Sequence, residues 1–189
     1  MDSFWLSLVV IFVAELGDKS QLMALAFASR YKALPVLVAI TIATAVVHAF
    51  SVLAGGLLGS AFPSEAVSVA AGLAFFGFAV WTLRGDELGE RDEQRTRRWH
   101  PSPIVAVGGA FFLAELGDKT MLATVTLATT EGWLGTWIGS TVGMVAADAL
   151  AILVGRELGS RVPERTIRIG AAIGFFVFGI WLLVDGLAG

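Results

Sequence analysis

Cysteine is missing, histidine is nearly so, and charge of either sign is thin. The 189-residue chain contains no cysteine and two histidines. That removes disulfides, thiolate metal sites and cysteine nucleophiles together. It also leaves little for zinc or copper, which favour thiolate or imidazole. Only 15% of residues are charged, against about 25% in an ordinary soluble domain. There is no phosphate-binding loop, so ATP-driven pumping would need a partner. There is no basic stripe either, so no nucleic-acid partner is expected. The first apolar run follows Asp2 rather than a basic cluster and precedes no small-residue cleavage pattern, which makes it an expected retained helix.

What remains is apolar. Hydrophobic residues make up 56% of the chain, and the mean hydropathy is +0.78. Apolar stretches of about 18 to 26 residues, the length that crosses roughly 30 Å of hydrocarbon, fall at Phe4–Ala28, Pro35–Leu58, Ala66–Leu83, Pro103–Ala128, Leu134–Gly155 and Ile167–Leu187. The expected fold class is an all-α membrane protein of six transmembrane helices. A charged segment, Arg84–His100, divides them and suits a short surface helix. It gives a first unit at 1–83, a linker at 84–102 and a second unit at 103–189.

The two units repeat one sequence at an offset of 100. Phe12-Val-Ala-Glu-Leu-Gly-Asp-Lys-Ser20 matches Phe112-Leu-Ala-Glu-Leu-Gly-Asp-Lys-Thr120. Gly55, Leu58, Gly59, Ser60 and Pro63 match Gly155, Leu158, Gly159, Ser160 and Pro163. Phe75, Phe76, Phe78 and Trp81 match Phe175, Phe176, Phe178 and Trp181. Three spans per unit, an odd number, place the second unit upside down, the plan of many secondary transporters. Basic residues agree. Apart from Lys19 and Lys119, the remaining eleven of the 13 lie in or beside the first, third and fifth connections. By the positive-inside rule both termini face outward. Arginine-rich, Ala/Gly/Val-rich usage suits a GC-rich bacterium, so the expected location is the bacterial inner membrane, multi-pass, with room for a homo-oligomer.

The chemistry concentrates in the doubled Glu-Leu-Gly-Asp-Lys-[Ser/Thr]. Glu15 lies about 16 Å into its span at 1.5 Å per residue, near the midplane. In a continuous helix Glu15, Asp18 and Lys19 share a face. A central Asp or Lys costs about 2.5–3.5 kcal/mol to insert, so such residues face the protein interior and mark an ion or substrate path. A plain Glu15–Lys19 or Glu115–Lys119 neutralising pair leaves Asp18 and Asp118 unexplained. It also leaves unexplained the helix-weakening Gly17 and Gly117. Four carboxylates against two lysines leave a charge that one divalent cation or two protons would balance. His48 and Asp148 occupy equivalent positions and suit either interior polar packing or proton movement. Gln21, beside the motif, aligns with Met121. Pro35, Ala39 and Ala43 align with Gly135, Gly139 and Gly143, a small-residue spacing that permits close helix approach.

This pattern resembles the Gdt family, also called the transmembrane protein 165 family, of manganese and calcium transporters. The resemblance covers nearly the whole chain. It implies that Glu15, Asp18, Glu115 and Asp118 bind the cation. Ser20, Thr120 and Gln21 are further candidate ligands, and Lys19, Lys119, Asp148 and His48 would tune the site or carry protons. It implies export of Mn2+, with Ca2+ second, in exchange for protons, and no resident cofactor. Two other readings are weaker. An exporter of a small organic solute would use the lysines, but acids outnumber bases. An intramembrane aspartyl protease would use Asp18 and Asp118, but Leu16-Gly17-Asp18 lacks the preceding glycine of Gly-x-Gly-Asp, and the glutamates would have no role.

Overall fold

The computed structural model describes residues 2–84, 90–97, 102–158 and 164–188. Parts of the 84–102 linker, together with Gly159, Ser160 and Pro163 of the repeat, lie outside the described residues. So do Arg98 and Arg161 of the basic count. Among the described residues every regular element is helical: α1 Asp2–Glu15, α2 Lys19–Ala28, α3 Ala33–Ala61, α4 Ser64–Arg84, α5 Glu90–Arg97, α6 Pro103–Glu115, α7 Lys119–Thr130, α8 Trp133–Leu158 and α9 Glu164–Ala188. The charged segment expected as a short surface helix holds α5.

Four helices are long and apolar enough to cross a bilayer unaided: Ala33–Ala61, Ser64–Arg84, Trp133–Gly155 and Ile169–Ala188. The expected continuous helices Phe4–Ala28 and Pro103–Ala128 do not form. Each is broken at its Leu-Gly-Asp into a helix pair, α1 with α2 and α6 with α7. The cause is local. Gly17 and Gly117 have φ of 75° and 81°, in the left-handed region that a helix cannot contain and that glycine enters at least cost. An apolar run reads as one helix because hydropathy does not register a single backbone inversion.

The packing is that of a protein in lipid. On α3 the large residues Leu34, Val38, Ile42, Phe50, Leu53 and Leu57 point outward, while Ala39, Ala43, Thr44, His48 and Ser51 are buried. Small residues inside let backbones approach closely, which is how helices associate where lipid is as apolar as leucine. The contacts are reciprocal at the offset of 100. A Cβ on Gly55 would meet the Val125 carbonyl of α7, and one on Gly155 would meet the Leu25 side chain of α2. Phe75 contacts Phe175, and Phe76 stacks on Phe176, joining α4 to α9. Each unit's broken pair therefore lies against the other unit's long helix. The small-residue row works as expected on α8: Gly139 and Gly143 press on the α1 backbone at Phe4 and Leu8.

That contact generates a test. A Cβ at Gly139 would stand 2.3 Å from the Phe4 carbonyl oxygen and one at Gly143 2.5 Å from that of Leu8, whereas Gly77 and Gly109 face open space. Gly139→Ala or Gly143→Ala should lose about 1–3 kcal/mol through overpacking and lower the thermal midpoint of the purified protein. Gly77→Ala and Gly109→Ala should leave it level or slightly higher. Equal shifts in all four would contradict the close α1–α8 approach.

Candidate cation site

Each break is stapled by its own motif. In the first unit the Asp18 amide donates to the Glu15 carbonyl at 3.1 Å, closing a turn around Gly17. Asp18 then caps α2, accepting from the Ser20 amide at 3.4 Å, the ordinary use of an aspartate at a helix start. The Ser20 hydroxyl donates to Glu15 Oε1 across the break. The second unit repeats this: the Asp118 amide donates to the Glu115 carbonyl at 3.1 Å, and the Thr120 hydroxyl donates to Glu115 Oε2 at 3.0 Å. The serine and threonine thus bind the last residue of one half-helix to the first turn of the next.

The break takes Glu15 and Lys19 out of the continuous helix in which they would stand one turn apart. The lysines cross between units instead. Lys19 Nζ donates to Asp118 Oδ1 at 2.6 Å, and Lys119 Nζ donates to Asp18 Oδ1. Glu15, Asp18, Glu115, Asp118 and Lys119 are all buried, while the Lys19 side chain keeps 17% exposure. A charge buried this way is tolerable only with a close partner, and here each unit supplies the other's.

The remaining predicted residues divide unequally. Gln21 accepts from the Gly17 amide at 2.8 Å and donates to the Ala147 carbonyl at 2.9 Å, tying the first break to α8. Met121, its counterpart, accepts from the Gly117 amide through sulfur at 3.1 Å. The two side chains thus share a place, one with oxygen and one with a thioether. Asp148 is fully buried and in electrostatic range of Glu15, Asp18 and Glu115. Both its carboxylate oxygens lack a hydrogen-bond partner among the described residues. The structure therefore brings Asp148 into the charged centre. His48 is buried with both ring nitrogens unpartnered, and no hydrogen bond joins it to a motif residue among the described residues.

Oxygen capacity is left over at the centre. Glu15 Oε2, Glu115 Oε1 and Asp118 Oδ2 are buried without a hydrogen bond. In this conformation lysine ammonium groups stand among the carboxylates, and among the described residues no three acidic or histidine side chains gather closely enough to hold a metal ion. Two features escaped sequence reasoning: the crossed direction of the lysines and the use of Gln21 and Met121 to cap the glycine amides. Only the doubled glycine, at the same place in both units, signalled a break.

A second acidic locus lies apart from the motifs. A cavity of about 530 Å³ between the ends of α3, α4, α7 and α9 is lined in part by Ser68, Glu131 and Asp185. Burial, with Asp2 and Asp185 nearby, pushes the Glu131 carboxyl above its ordinary value.

An all-helical apolar bundle with a buried, charge-crossed centre is that of a membrane protein, and similarity to known proteins makes it a transporter. The family model described as "Divalent cation/proton antiporter GDT1" matches residues 3–90 and 103–189, and the chain belongs to this family. It is 34% identical over 166 residues to a Vibrio cholerae protein named "Putative manganese exporter", covering 86% of this chain and 81% of that one. It is 28% identical to "GDT1-like protein 5" of Arabidopsis thaliana, covering 97% of this chain and 96% of the relative. "Protein PAM71-homolog, chloroplastic", also of Arabidopsis thaliana, is 30% identical over 89% of this chain and 55% of its own length. No solved structure matches the chain significantly.

The break is directly testable. A Cβ on Gly117 would touch nothing within 4 Å, so only its φ of 81° opposes substitution. Gly117→Ala should cost about 1–2 kcal/mol of backbone strain and reduce transport severalfold, read as vesicle flux and thermal midpoint together. Full stability and full flux would show that the left-handed turn is dispensable.

Proposed function

We propose that the chain exports a divalent cation, manganese first and calcium second, in exchange for protons. The site is formed by Glu15, Asp18, Glu115 and Asp118, with Ser20, Thr120 and Gln21 as supporting oxygens. The observation that carries this reading is the reciprocal approach of the two motifs, each lysine on the other unit's aspartate. The substrate class fits the donors, since carboxylate, hydroxyl and amide oxygens suit manganese, calcium and magnesium. Magnesium gives up its waters reluctantly. The manganese assignment is supported by the name of the Vibrio cholerae relative.

Proton exchange follows from crowding. Carboxylates close together in a low dielectric repel one another, and either a cation or protons relieve that repulsion at the same oxygens. An inward proton gradient then drives the cation out across the bacterial inner membrane. We assign the topology as six spans in two inverted repeats, with the broken pairs α1–α2 and α6–α7 each forming one span and both termini outside. The reciprocal packing at the offset of 100 supports this arrangement, as does the distribution of basic residues. The chain's lack of cysteine makes the topology easy to check. A cysteine placed at Asp2 should react with an impermeant thiol reagent added to intact cells, and one at Glu87 should not. The reverse pattern would invert the assignment.

Transport is the decisive assay. Purified protein in liposomes should move Mn2+ against an opposing proton flow, faster when a pH gradient is imposed in the driving direction. Glu15→Gln with Glu115→Gln should lower flux by at least about a hundredfold while membrane insertion persists, because the site loses two charges in an apolar setting. Manganese flux that ignores pH, or that survives in the double variant, would contradict the reading.

A further inference from the structure

We infer that Lys19 and Lys119 are tethered counter-cations, which hold Asp118 and Asp18 when the cargo is gone and yield them when it arrives. The inference rests on the cation-carrying role proposed above and assigns the lysines a part in the return of the cargo-free, proton-loaded carrier.

Three observations lead there. First, each lysine reaches the aspartate of the other unit, Lys19 at 2.6 Å from Asp118 and Lys119 on Asp18. A lysine serving only to neutralise its own helix would pair within its motif. Second, these same aspartates sit beside buried carboxylate oxygens with no hydrogen bond, at Glu15, Glu115 and Asp118. The ammonium groups therefore occupy part of an oxygen-rich centre without exhausting it. Third, the pairs are unequal. The Lys19 side chain is 17% exposed and that of Lys119 3%. Leu116 and Gly117, at the break next to Asp118, are exposed as well. The Lys19–Asp118 pair is the less enclosed of the two on its lysine side, and we infer that it yields first.

Physical chemistry requires some such device. Two aspartates stripped of a cation in hydrocarbon would be costly to carry through a conformational change. A lysine on a flexible four-carbon stem supplies a compact charge that moves without leaving the protein. It lets the cargo-free carrier, protonated at its glutamates, switch, and it weakens cargo binding, because the cation must displace an attached rival. The affinity lost is the cost of an exchange cycle that runs in both directions.

The test separates a rival cation from a structural clasp. In liposomes, Lys19→Met with Lys119→Met should bind Mn2+ about tenfold more tightly, as expected when a competing state is removed. It should still exchange Mn2+ for Mn2+ across the membrane, yet lose net proton-driven flux by at least about tenfold, because the cargo-free, protonated site must return with its aspartates stripped of their counter-charge. Lys19→Arg with Lys119→Arg keeps the charges and should keep net flux above the methionine variant. If the double methionine variant does not reach the membrane, Lys19→Met alone should show the same split at smaller size. Weaker Mn2+ binding, or exchange and net flux lost together, would overturn the inference. Wild-type protein with neither flux would instead refute the cation-carrying role itself.

Discussion

The structure depends on a pair of buried ion pairs that neither half can make alone. Asp18 and Asp118 lie in the apolar interior, and the charge that makes this tolerable comes from the opposite unit. A buried carboxylate that loses its partner is penalised by several kcal/mol, so the two units cannot separate without exposing both aspartates to lipid. The surrounding small-residue seams, Gly139 and Gly143 of α8 against α1 and Gly55 of α3 against α7, bring the backbones close together. Packing and electrostatics thus impose the same arrangement.

The glycine breaks turn that arrangement into a site. In an unbroken helix Glu15 and Lys19 would face each other one turn apart and cancel. With φ inverted at Gly17, the chain closes a tight turn, Asp18 becomes a cap, and Lys19 begins a new helix. Ser20 and Gln21 then hold the two ends in register. At Gly117 the turn and the staple repeat, with Thr120 and Met121 in those places, but the Asp118 carboxylate makes no cap bond. The result is two half-helices per unit, with their motif carboxylates buried. The units are not identical. Asp148 joins the charged centre while its counterpart is His48, and Gln21 faces α8 where Met121 offers sulfur.

Much of this was legible in the sequence. The offset of 100, the doubled motif and the division at 84–102 gave the repeat. The insertion cost of Glu15, Asp18 and Lys19 pointed to an interior site before any geometry was known. The helix breaks were not legible in the same way, because hydropathy averaged over the runs through Gly17 and Gly117 does not register a single turn. The lysine crossing was hidden for a related reason. Spacing within a motif names the partner along a helix, and says nothing once the helix has ended. Asp148 stood out only as a polar residue in an apolar span, and its closeness to Glu15, Asp18 and Glu115 needed the fold.

If two motifs, one from each unit, make a single shared cation site, the stoichiometry of Mn2+ bound to purified protein shows it, followed by the Mn2+ electron paramagnetic resonance signal or by calorimetry. One ion per chain is expected, lost in Glu15→Gln and lost equally in Glu115→Gln. Two ions per chain, with each single variant keeping one, would show two independent half-sites and contradict it.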